Sequence, residues 1–116
     1  MERDPRAYLW EVKQAAAAIG EFTAGLNFID YEGSELVRSA VERKFEIIGE
    51  ALSQLSKFDP AMANRLSEAR RAVDFRNQLI HGYRRIDHAE VWAVVQTDLP
   101  KLLAAVTALL DQLGPP

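Results

Sequence analysis

Apolar residues recur every three or four positions along most of this 116-residue chain, and no stretch alternates apolar with polar residues as a strand would. That rhythm restricts the fold to helices that each bury one face. Leu9, Val12, Ala16, Ile19, Phe22 or Thr23, Leu26 and Ile29 predict a first helix from about Pro5 to about Ile29, opened by Asp4-Pro5 as cap and first-turn proline. After Tyr31-Glu32-Gly33, Ser34 caps a second helix carrying Val37, Val41, Phe45, Ile48, Leu52 and Leu55 and ending near Lys57. Asp59-Pro60 repeats the opening signal for a third helix with Met62, Leu66, Ala69, Val73, Leu79 and Ile80, which Gly82 is expected to end.

Asp87 and Glu90 have the form of a capping box ahead of a fourth helix, where Val91, Val94, Val95, Leu99, Leu102, Leu103, Val106, Leu109 and Leu110 make the apolar stripe. Pro100 interrupts this helix and should kink it or loosen a hydrogen bond. The expected fold is all-α: an up-and-down four-helix bundle with a kinked last helix, one domain over residues 1–116. A chain this short buries a modest fraction of its surface, so a symmetric homodimer is the natural way to complete its core.

The chain has no cysteine, which removes disulfides, thiolate metal sites and thiol nucleophiles together and suits a reducing cytoplasm. Met1 to Arg6 lacks the basic-then-apolar order of a signal peptide. Runs such as Ala15 to Ile19 or Val91 to Val95 fall short of a membrane span, so no membrane association is expected. A net charge of −3 gives the whole protein no general attraction for nucleic acid. Locally the balance reverses: Arg65, Arg70, Arg71, Arg76, Arg84 and Arg85 face only Glu68, Asp74 and Asp87 in the same stretch. Such a cluster is either a solvated helix face or a phosphate-binding footprint.

Several chemistries fail on spacing. A di-iron bundle needs Glu-x-x-His pairs, but Gln78 precedes His81 by three and Arg85 precedes His88 by three. Glu42, Glu46 and Glu50 stack at intervals of four on the second helix; without histidines among them they read as exposed or interface carboxylates. Serine-hydrolase and phosphate-loop patterns are absent. What remains is Arg76, Asn77, His81 and Tyr83. Arginine offers a planar, permanently charged fork for phosphate, and histidine exchanges protons near neutral pH. Those two groups are what metal-free RNA cleavage requires, with Asn77 and Tyr83 available to position phosphate or stack on a base. On an ideal helix Tyr83 shares a face with Arg76, while His81 points roughly 140° away from it. Convergence then needs either a helix break before Gly82 or a site assembled between two subunits.

The string Arg76-Asn77-x-Leu79-Ile80-His81-Gly82-Tyr83 resembles the Arg-x4-His-x-Tyr signature of the HepT-like branch of the HEPN family. Ile48-Gly49-Glu50-Ala51, Ile86-Asp87 with Val91-Trp92, and Asp98-Leu99-Pro100 match further pieces in order. The resemblance implies a helical dimer whose two motifs face a shared cleft, and a toxin of a type VII-like toxin–antitoxin system acting as a metal-independent endoribonuclease. It implies Arg76 and His81 as the catalytic pair, with Asn77 as the polar residue beside the arginine. It also implies a minimal nucleotidyltransferase antitoxin that transfers AMP onto Tyr83, where added bulk and negative charge would block the phosphate site. Arg84 and Arg85 are the neighbouring candidates for RNA positioning, and no cofactor is implied. One departure is the plain charged stretch Arg65 to Ala72, where the family often carries a proline and a tryptophan.

Two other readings use the same residues. One is a non-catalytic helical module of the same fold that binds a nucleotide or a partner. The other is a purely structural arginine patch, pairing with acidic residues of the second helix across a dimer.

Overall fold

The computed structural model describes residues 4–66, 69–81 and 86–114, with the side chains of residues 69, 70 and 81 outside that description. Its elements are α1 (Pro5–Thr23), α2 (Phe28–Glu32), α3 (Glu35–Phe58), α4 (Pro60–Asn64), α5 (Ala69–His81), α6 (His88–Ala93), a π-helical turn (Val94–Asp98) and α7 (Leu99–Leu113). The fold is all-α, and no strand occurs among the described residues.

The expected caps form. Asp4 accepts from Arg6 N, Ser34 from Val37 N, Asp59 from Met62 N, and Asp87 from both Ala89 N and Glu90 N. Each side-chain oxygen satisfies an amide that the first turn leaves open. Two expected helices are shorter than their periodicity suggests. The first stops at Thr23, six residues early, because Gly25 takes a φ of 76° and Asn27 starts a new helix. Asn27 and Asp30 exchange bonds of 2.8 and 3.2 Å in a capping box, so local polar bonding wins over continuation of the apolar stripe. The third splits into α4 and α5: Arg65 N and Leu66 N bond back only three residues, to Met62 O and Ala63 O, while Ala63 and Leu66 sink into the core.

Pro100 acts through the turn before it. Leu99 N–H reaches Val94 O, a five-residue step, and this widened turn leads into α7 with Pro100 in its first turn. The helical run His88–Leu113 is long and apolar enough to cross a membrane by length and composition. One seam of it, Val91, Val95, Leu99, Leu102, Val106 and Leu109, lies in the core of the bundle.

Helix α3 is the spine: α1, α2, α4 and α5 pack against it, and α7 packs on α1. Leu9, Val12 and Ile19 of α1 meet Val41, Ile48, Leu52 and Leu55 of α3 in a fully buried layer. On the other side of α3, Phe45 and Phe75 meet edge to face at 5.1 Å, fixing α5 in register. Gly49 sets how near α5 comes. A Cβ there would stand 2.1 Å from Arg76 Cβ and 3.1 Å from Ala72 O, so only a glycine lets the helices approach this closely.

Candidate active site

Because α5 lies directly over Gly49, the Arg76 side chain emerges at the α3–α5 seam. Its Nη2 donates to Glu50 Oε2 at 2.6 Å and its Nη1 to Asn77 Oδ1 at 2.9 Å. Glu50 Oε1 in turn accepts from Gln54 Nε2 at 3.0 Å, so Gln54, Glu50, Arg76 and Asn77 form one chain of bonds. Arg76 Nε is buried and has no partner among the described residues. The arginine is the inner member of the ion pair, 24% exposed against 49% for Glu50. A pair this open to water contributes at most about 1 kcal/mol to stability, so its significance is positional.

The pair borders a groove of about 460 Å³ that runs from α1 over α3 to α5, with Tyr8, Glu11, Arg43, Glu46, Gln54 and Ile80 along it. Ile80, one turn beyond Arg76, keeps 45% of its surface open. Arg43 and Glu46 pair at 3.2 Å within the groove. The carboxylate stack on the second predicted helix thus has distinct uses: Glu46 faces Arg43, Glu50 faces Arg76, and Glu42 turns toward His88 and Tyr31. At this last cluster burial raises the Glu42 carboxyl above its ordinary range, and burial with Glu42 nearby pushes the Tyr31 phenol up to about 12.

Of the sequence-derived site, Arg76 and Asn77 are placed side by side. His81 is the last described residue of α5, but its side chain lies outside the described residues, as do Gly82, the expected helix end, and Tyr83, Arg84 and Arg85. The arginine cluster does not make one surface among its described members. Arg65 bonds Gln112 on α7, Arg71 pairs with Asp98 at 3.2 Å, and Arg76 turns to the opposite side of α5 to reach Glu50. Five residues separate Arg71 from Arg76, and the helical turn carries that spacing to different faces. Arg76 does pair with an acidic residue of the second predicted helix, and it does so within one chain. Sequence reasoning missed Glu50 and Gln54 as its neighbours. The available signal was Gly49, a glycine in the middle of an otherwise well-formed helix, which marks close approach of another backbone. Among the described residues, no group of three or more His, Asp or Glu is placed to hold a metal ion.

The family model for ribonuclease HepT-like proteins matches residues 12–109, which takes in the whole of α3 and α5 and the groove residues they carry. The chain belongs to the ribonuclease HepT-like family. It is 35% identical over 105 residues to "Probable ribonuclease HepT" of Thermococcus cleftensis, covering 88% of this chain and 92% of that protein. It is 33% identical over 102 residues to "Putative RNase MJ1380" of Methanocaldococcus jannaschii, covering 87% of this chain and 92% of that one. No solved structure matches the chain. In this HepT-like chain Gly49 and Glu50 on α3 and Arg76 on α5 are in direct contact across the seam.

Proposed function

We propose that this HepT-like chain is a metal-independent endoribonuclease, the toxin of a type VII-like toxin–antitoxin pair, working as a cytoplasmic homodimer. The observation that carries the reading is the family match over residues 12–109 together with the Arg76 guanidinium at an open groove. Arg76 binds the scissile phosphate and stabilises the negative charge of the phosphorane. His81 takes the proton of the RNA 2′-hydroxyl as its oxygen attacks the adjacent phosphorus, the bond to the 5′-oxygen breaks, and the imidazolium's proton is returned through solvent to that leaving oxygen. The products are a 2′,3′-cyclic phosphate and a 5′-hydroxyl. Asn77, already bonded to Arg76, orients the guanidinium, while Tyr83, Arg84 and Arg85 help to position the RNA. AMP transferred to Tyr83 by a nucleotidyltransferase antitoxin fills the same phosphate site and silences the enzyme.

The decisive assay is incubation of the purified protein with total cellular RNA in excess chelator, beside Arg76→Ala and His81→Ala. Cleavage by the parent and a loss of at least about a hundredfold in both folded variants is expected. A second reading, a non-catalytic module, draws support from one observation: two of the guanidinium's three nitrogens are already bonded inside the protein. Equal inertness of parent and variants, with an unmodified Tyr83 by mass spectrometry, would decide for that module.

A further inference from the structure

The way Glu50 meets Arg76 is incomplete. A guanidinium offers two parallel donors on its Nε/Nη2 edge, and a phosphate takes both at once through two oxygens. Glu50 takes only Nη2, and the buried Nε is left without a partner among the described residues. An unmade bond at a buried charged donor is costly, so an anion able to fill both positions has an advantage over this carboxylate. Glu50 is also built to leave. It is the more exposed member of the pair, it lines the groove beside Arg76, and its other oxygen is already bonded to Gln54.

We propose that Glu50 is the placeholder anion of the RNA site: it occupies Arg76 in the free protein and yields to a backbone phosphodiester, with Gln54 retaining it one turn along α3. The inference rests on the nuclease reading above and adds a residue to it. Glu50 keeps the Arg76 guanidinium from gathering stray anions, and its charge makes weak or singly contacting phosphates poor competitors. A negative charge about 5 Å from the bound phosphate in a water-like medium weakens binding by about fourfold.

The test uses an oligoribonucleotide carrying 2′-O-methyl groups throughout, which lacks the nucleophile and so reports binding alone. Glu50→Gln keeps the side chain's shape and loses its charge. It is expected to bind this RNA about fourfold more tightly than the parent at low salt, with the gain shrinking as salt rises. Glu46→Gln, one turn away and paired with Arg43, is expected to gain clearly less, and the Glu50→Gln gain should disappear when Arg76 is replaced by Ala. Weaker binding by Glu50→Gln would make Glu50 a strut that aims Arg76; equal gains in the two glutamine variants would make it a generic surface charge. Either outcome overturns the placeholder while leaving the nuclease reading intact. Unchanged affinity in Arg76→Ala would remove the phosphate site itself, and both readings with it. In the unaltered protein, the Arg76 Nε–H proton resonance is expected to move downfield on binding the same RNA; a stationary resonance overturns the exchange without recourse to any variant.

Discussion

Tyr31 buries its ring completely against Trp92, at 5.2 Å between ring centres, yet its hydroxyl has no partner among the described residues. A buried hydroxyl without a bond opposes folding, and removing it relieves that cost. Tyr31→Phe is therefore expected to raise the unfolding free energy at pH 7 by about 1 kcal/mol, read as a higher urea midpoint with an unchanged slope. The same phenol supplies a sign test. Its folded-state value, about 12 against the ordinary 10.0, means that the unfolded chain loses this proton first. Stability then falls as pH rises from about 10 toward 12, and Tyr31→Phe should flatten that fall. Asp4 shows why the size of a shift is a poor guide to stability. Arg6 holds its carboxyl down at about 2, but the pair sits in water at the start of α1 and stabilises little.

The contact between α3 and α5 is where an element-scale effect can be separated from a side-chain one. In an exposed helix interior, Gly49→Ala would stabilise by about 1 kcal/mol through helix propensity. Here the added carbon would lie 2.1 and 2.6 Å from Arg76 Cβ and Cγ, atoms tied to the α5 backbone that cannot swing aside. Overpacking of this kind costs about 1–3 kcal/mol and displaces the helix, so it outweighs the propensity gain. Gly49→Ala is expected to lower stability by up to about 2 kcal/mol net and to reduce RNA cleavage more than its remaining folded fraction explains. Calorimetry beside a single-turnover assay would check this, and a more stable variant with full activity would contradict the packing shown.

At the scale of the whole molecule, the question is how Arg76 and His81 come to act on one phosphate, since a spacing of five on an ideal helix sets two positions roughly 140° apart. A homodimer that joins Arg76 of one subunit to His81 of the other makes a quantitative prediction. Folded Arg76→Ala and His81→Ala proteins, each inactive, should recover about a quarter of parental activity after mixing and subunit exchange: half the dimers are mixed, and each has one intact composite site of two. No recovery, with exchange verified by mass spectrometry, would place both groups of each site in a single subunit.

Much of this architecture is legible in order of sequence. The caps at Asp4, Ser34, Asp59 and Asp87 are local side-chain bonds that depend on a few neighbouring residues, and the apolar stripes of α3 and α7 state which face is buried. The neighbourhood of Arg76 and Asn77 is readable as a place where polar side chains gather, and the two do lie bonded to one another. The ends of α1 and α4 escape this reading, since Gly25, Asn27 and Leu66 trade helix continuation against capping and burial that depend on the packed core. The partner of Arg76 escapes it for the same reason. Glu50 lies 26 positions away, and only the close approach of α5 over a residue without a side chain brings the carboxylate within 2.6 Å. The chemistry available to the chain was determined by residue identity; which charges meet was decided by the separation of two helices.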